Sequence, residues 1–175
     1  MESKKICLEV CKLARKTGKF IREEHAKFST ERIEVKGKND FVSYVDKTSE
    51  QQLVDGLSLL LPEAGYIAEE GTSSKKGDVY NWIIDPLDGT TNFIHGLPCF
   101  SISIALMREQ TIVLGVVYEI NMDECFYAWE NGPAYLNDQQ IQVSKVKTLS
   151  GSLLATGFPY YDSGRMDEYL ELFKY

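Results

Sequence analysis

The chain has 175 residues, 43% hydrophobic and 26% charged, the composition of one soluble globular domain or a large part of a bigger one. Its 26 Asp and Glu outnumber 19 Lys and Arg, for a formal net charge of −7, which argues against a nucleic-acid scaffold and its basic stripe. No apolar run is long enough to span a bilayer, and the start Met1-Glu2-Ser3-Lys4-Lys5 lacks the apolar core and cleavage site of a signal peptide, so a cytoplasmic protein with no membrane attachment is expected.

The first element is an amphipathic helix of about six turns. Its apolar stripe is Ile6, Val10, Leu13, Ala14, Thr17, Phe20 and Ile21. Ile33 to Gly37 reads as a short strand ending at a glycine turn, and Phe41 to Val45 as a second strand. Asp46 then stands in an N-cap position for a helix carrying Leu53, Leu57, Leu60 and Leu61, which Pro62 ends. From Gly65 the pattern turns to strands. Gly65 to Ala68 stops at Glu69-Glu70, and Val79 to Ile84 stops at Asp85. Phe100 to Leu106 alternates apolar with small residues, the period of a half-buried strand. Ile112 to Tyr118, Cys125 to Trp129, Tyr135-Leu136 and Ile141 to Val143 continue the sheet as an antiparallel meander, with turns near Glu109-Gln110, Asn121 to Asp123 and Asn137-Asp138. Ser152 to Thr156 reads as one more strand, and Met166 to Tyr175 as a helix. Helices followed by strands define an α+β fold, a helix pair packed on one sheet face. The four cysteines, Cys7, Cys11, Cys99 and Cys125, form no Cys-x-x-Cys pair and read as small buried apolar residues.

The chemistry concentrates where two strands end in acids, at Glu69-Glu70 and at Asp85-Pro86-Leu87-Asp88. Hard divalent ions such as Mg²⁺ take several oxygens in near-octahedral array. Pro86 bends the backbone between Asp85 and Asp88, so both carboxylates and the Leu87 carbonyl can face one site. Such a site also reconciles an acidic chain with a phosphate ligand, because cations then separate acids from anion. Gly89 permits close approach, and Thr90 begins a turn whose free N–H groups suit a phosphate. Spacing disfavours the alternatives. An EF-hand counted from Asp85 would need Glu where Gly96 stands. A Walker loop would need Gly-Lys-Ser/Thr, which is missing. A plain strand ending in an Asp-Gly turn remains the bland alternative.

The stretch Trp82-Ile83-Ile84-Asp85-Pro86-Leu87-Asp88-Gly89-Thr90-Thr91-Asn92-Phe93 closely resembles the first signature of the inositol monophosphatase family, bacterial members included. Ala68-Glu69-Glu70-Gly71, Lys36-Gly37-Lys38-Asn39-Asp40, Val45-Asp46-Lys47, Gly115 to Tyr118 and Leu154 to Pro159 extend the resemblance over the whole chain. It implies a Mg²⁺-dependent, lithium-sensitive phosphatase that hydrolyses a small phosphate monoester, foremost inositol 1-phosphate, with two or three Mg²⁺ and as a homodimer. Metal ligands would be Glu69, Asp85, the Leu87 carbonyl and Asp88. Gly89 and Thr90 would offer backbone N–H groups to the phosphate, beside Glu69, Leu87 and Asp88. Thr90, with Asp46 as its hydrogen-bond partner, would orient the attacking water, and Glu69 would share in catalysis. Glu70 reads as a solvated neighbour, Lys36 as a residue near the metals or an exposed one, and His95 as a rim or surface residue.

The resemblance implies a layered αβαβα fold in the full family, of which the helix pair and antiparallel sheet are the N-terminal part. The family's second signature, a Trp-Asp that supplies a further metal ligand, has no counterpart, since Trp82 precedes Ile83 and Trp129 precedes Glu130. One N-terminal domain spanning 1–175, with an open apolar sheet edge or helix face, is therefore expected. Two readings stand: an active phosphatase, or a catalytically inactive metal- or partner-binding remnant. Within the first, fructose 1,6-bisphosphate, 3′-phosphoadenosine phosphates and NADP are alternative substrates.

Overall fold

A computed structural model describes residues 3–27, 38–157 and 164–172. The chain falls into two compact units, Met1–Gln142 and Val143–Tyr175, and each is described by itself. In the first, helices α1 (Ser3–Lys27) and α2 (Lys38–Leu60) precede strands β1 (Gly65–Ala68) and β2 (Tyr80–Asp88), a short helix α3 (Thr90–Ile94), and strands β3 (Ser101–Arg108), β4 (Thr111–Glu119), β5 (Glu124–Trp129), β6 (Ala134–Leu136) and β7 (Gln139–Ile141). The seven strands form one sheet in sequence order. All neighbours pair antiparallel except β1 and β2, which run parallel. The fold is α+β, as the residue pattern predicts, but the sheet is mixed rather than antiparallel. The loop between β1 and β2 carries the chain back to the same end of the sheet. No helix among the described residues is long and apolar enough to cross a membrane.

The core lies between the two helices and one sheet face. Cys7, Val10, Ala14 and Ile21 of α1 meet Leu53 and Leu57 of α2 and the inward residues Trp82, Ile84, Ile102, Ile104, Leu106, Leu114 and Val116. Cys7, Cys11 and Cys125 are buried as expected, whereas Cys99 is exposed. The helix approaches the sheet closely at Gly18, where a β-carbon would lie 2.3 Å from the Tyr118 ring. That ring cannot swing aside freely. Its hydroxyl donates to Asp123 at 2.8 Å and accepts from Arg22 at 3.2 Å, and the Arg15 guanidinium lies 5.3 Å from its centre. Gly18→Val is therefore expected to cost about 1–3 kcal/mol by overpacking, read as a lower urea midpoint with an unchanged slope.

Two local expectations are corrected. Phe41 to Val45 is not a strand, because α2 already includes it. Val45, Ser49, Leu53 and Leu57 are all fully buried and form one i, i+4 stripe, so the helical register reaches back through Val45. Asp46 is consequently inside the helix and not at its N-cap. Ser152 to Thr156 forms no strand; in the second unit these exposed residues follow a single 3₁₀ turn at Leu149–Gly151, ahead of helix α4 (Met166–Glu171). The strand expected at Ile33 to Gly37 lies outside the described residues, as does Lys36.

Among the described residues of the first unit, no helix covers the other sheet face. Val117 and Phe126, a registered β4–β5 pair, and Ile141 are 41%, 36% and 36% exposed. They line a shallow groove of about 300 Å³ with Ser103, Ala105 and Gly115.

Candidate metal and phosphate site

The parallel β1–β2 register builds the site. Tyr66, Ile67 and Ala68 lie beside Trp82, Ile83 and Ile84. The ladder runs one step further, with the Glu69 N–H donating to the Ile84 carbonyl at 3.3 Å. The next residue on each strand is an acid, so Glu69 and Asp85 come side by side at the carboxyl end of the pair. Convergence of the two acid-terminated strands, expected from the sequence, thus has a specific cause in their parallel pairing.

Strand β2 does not stop at Asp85 but continues to Asp88 through an irregularity. Asp85 pairs with Ser103 and Asp88 with Ser101, so three residues on β2 advance against two on β3. Pro86 has no N–H to give the ladder, which localises the bulge there. The Leu87 N–H turns to donate to Asp85 Oδ1 at 3.1 Å, fixing that carboxylate from below, and the Leu87 side chain enters the core. Gly89 follows with φ 97° and ψ 32° at the head of α3. Its carbonyl accepts from the Phe93 N–H at 3.0 Å, and Phe93 anchors the turn against Phe100 and His25, with ring centres 5.3 and 4.9 Å away. Thr90 Oγ1 donates to the Leu87 carbonyl at 3.0 Å. Threonine and carbonyl thus share one edge of the site, but the expected Thr90–Asp46 hydrogen bond is not formed. His95 is exposed.

Asp46 approaches from α2, which packs on both β2 and α3. It is buried, and burial foremost, then the charges of Glu70, Glu69, Asp85 and Glu50, pushes its pKa up to about 7. Burial likewise leads for Asp85, followed by the charges of Glu69 and Asp88; its pKa also rises to about 7. None of these acids forms an ion pair with Lys, Arg or His among the described residues. Among the described residues they do not close into a ready cage of three or more side chains; carboxylates at this spacing repel, and a hard divalent cation would need further oxygens to complete its shell. An all-oxygen set of crowded, uncompensated acids fits a hard divalent cation.

This crowding has a measurable consequence. Both acids have folded-state pKa values above the ordinary 3.8, so the folded chain holds more protons than the unfolded one between about pH 4 and 7. Stability must then fall as pH rises through that window. In EDTA the melting temperature is expected to decline from about pH 4.5 to pH 7.5, each pKa unit carrying about 1.4 kcal/mol. Mg²⁺ should restore it at the upper end and not at the lower. A melting temperature that rises with pH and ignores Mg²⁺ would rule this out.

Sequence reading missed Glu50. It is fully buried, and its carboxylate accepts hydrogen bonds from the turn that follows Glu69. The available signal was its position one helical turn after Asp46.

A model of the inositol monophosphatase family matches residues 4–175. The chain is 37% identical to a fructose-1,6-bisphosphatase/inositol-1-monophosphatase of Aquifex aeolicus over 99% of its own length and 66% of that protein's. It is 39% identical to a putative Nus factor SuhB of Neisseria meningitidis over 93% of its length and 63% of the relative's. A solved inositol monophosphatase from Anabaena superposes with a TM-score of 0.81 at 28% identity, covering 99% of this chain and 65% of that one. The chain thus spans about two thirds of the length of the relatives it matches.

Proposed function

The chain belongs to the inositol monophosphatase family, and from that premise we propose that it carries the metal- and phosphate-binding part of a Mg²⁺-dependent phosphatase whose first candidate substrate is inositol 1-phosphate. The observation that carries the proposal is the side-by-side placement of Glu69 and Asp85 by the parallel strand pair, next to the Leu87–Thr90 turn. Metal dependence is a property of the family; Mg²⁺ is favoured here because every donor is an oxygen and none a thiolate or imidazole.

Glu69, Asp85, Asp88 and the Leu87 carbonyl would hold the cation. Bound there, a divalent ion supplies Lewis acidity to the phosphoryl group and lowers the pKa of water. The Gly89 and Thr90 N–H groups would orient phosphate oxygens at the start of α3. Asp46 and the Thr90 hydroxyl would position the attacking water, and the Asp46 carboxylate would accept its proton. Direct displacement of this kind needs positioning and charge neutralisation rather than a protein nucleophile.

The test is phosphate release by the chain from inositol 1-phosphate, fructose 1,6-bisphosphate, 3′-phosphoadenosine phosphates and NADP. Turnover that requires Mg²⁺ and is inhibited by lithium is expected. A chain that binds Mg²⁺ yet releases phosphate from none of them would instead be a non-catalytic binding protein. That second reading has a specific support in the name Nus factor borne by the Neisseria relative. The acidic balance therefore does not by itself restrict this chain to small-molecule partners.

A further inference from the structure

Glu50 carries a carboxylate into the protein interior with no residual exposure. Burial of a charge is costly unless hydrogen bonds or a counter-charge offset it. Among the described residues no Lys, Arg or His pairs with Glu50. Its three hydrogen bonds all come from one short segment. Oε2 accepts from the Glu70 N–H at 2.8 Å, while Oε1 accepts from the Thr72 N–H at 2.8 Å and the Thr72 hydroxyl at 2.7 Å. An apolar residue of similar volume would fill the same space without the desolvation cost. What the carboxylate adds is a fixed geometry for residues 70–72.

That segment begins one residue after Glu69, which is itself tied by its N–H to the Ile84 carbonyl of β2 at 3.3 Å. Glu69 is thus held on both sides, by the sheet before it and by the Glu50 clamp after it. Without the clamp, Glu70 to Thr72 would be an exposed loop with a left-handed Gly71, φ 69°, free to choose other paths. Side chains that orient metal ligands through a second layer of hydrogen bonds commonly set the affinity of a site. We propose that Glu50 is a positioning residue, which anchors the Glu70–Thr72 turn to α2 and so fixes the direction in which Glu69 faces a divalent cation beside Asp85. The inference rests on the metal-site reading above. It also makes α2 the common support of the site, since Asp46, one turn earlier, lies among the same acids.

The test is Mg²⁺ binding by calorimetry on the wild-type chain, Glu50→Gln and Thr72→Val, with amide hydrogen exchange of residues 69–72. Gln keeps the volume but turns an N–H₂ toward one of the donors. Thr72→Val removes one hydrogen bond and leaves the buried carboxylate in place. The expected result is an about 10-fold to 100-fold weaker Mg²⁺ Kd for Glu50→Gln, a smaller loss for Thr72→Val, and faster exchange at residues 69–72 in both. Faster exchange with unchanged Mg²⁺ affinity would overturn the proposal and leave Glu50 a purely structural residue. If Glu50→Gln fails to fold, Thr72→Val decides in the same terms. Absence of Mg²⁺ binding by the wild-type chain would overturn the metal-site reading and this proposal with it, whereas wild-type binding with unaffected variants overturns this proposal alone.

Discussion

Asp85→Asn is expected to abolish measurable Mg²⁺ binding while making the metal-free chain more stable at about pH 8. Both effects follow from one position. Asp85 stands beside Glu69 at the end of the parallel strand pair, with Asp88 beyond the Pro86 bulge, and burial together with these two charges pushes its pKa up to about 7. Above that pH its charge is held against its own environment. The isosteric amide removes the charge, keeps an oxygen that can still accept from the Leu87 N–H, and relieves the repulsion on Glu69 and Asp46. The gain should be present at about pH 8 and should vanish below about pH 3, where the acid is protonated in folded and unfolded chains alike. In the same variant, Mg²⁺ should no longer raise the melting temperature. A residue that merely ends a strand in an Asp-Gly turn would show neither effect. A destabilised Asp85→Asn that still responds to Mg²⁺ would point to that bland reading.

Gly89→Ala should be among the most damaging single changes on the site side of the molecule. Two costs coincide there. The backbone sits at φ 97°, where an L side chain is strained by about 1–2 kcal/mol. The added β-carbon would also lie 2.8 Å from the Cys99 carbonyl oxygen and 3.2 Å from Phe100 Cα. These are backbone atoms just ahead of β3 and cannot swing away as a flexible side chain could. A total of about 2–4 kcal/mol is expected, together with weakened Mg²⁺ binding, because Leu87, Asp88 and Thr90 flank the displaced turn. Gly96→Ala is the internal control. Gly96 has φ 70° but no atom within 4 Å of the added carbon, so only the strain, about 1 kcal/mol, should appear. Equal losses from the two substitutions, read by urea denaturation, would show that crowding at Gly89 plays no part.

The most legible features were those whose residues constrain the backbone directly. Pro86 announces a bend, and the structure has a bulge there. Alternation in Ser101 to Leu106 fixes which side of β3 is buried, and Ile102, Ile104 and Leu106 are indeed inside. What escaped the sequence was long-range. Nothing local in Gly65 to Ala68 says that its partner is β2 or that the pair is parallel, yet that pairing brings Glu69 to Asp85. Val45 suits a strand by propensity, and only the buried stripe running on to Leu57 shows that it is helical. The same stripe moves Asp46 from a helix cap to the site wall. Glu50 looked like one more charged helix residue, because burial by tertiary packing leaves no mark on the residue itself. Ser152 to Thr156 has the apolar content of a strand but no ladder partner among the described residues.

Glu69, Asp85, the Leu87 carbonyl and Asp88 are proposed to form one divalent-cation site. Paramagnetic broadening tests it most directly. Mn²⁺ added in small amounts to the ¹⁵N-labelled chain at about pH 7.5 should first broaden the amide signals of residues 69–70, 85, 87–90 and 46, and excess Mg²⁺ should reverse the effect. Broadening centred elsewhere on this acidic chain, or spread evenly over its exposed carboxylates, would contradict the claim.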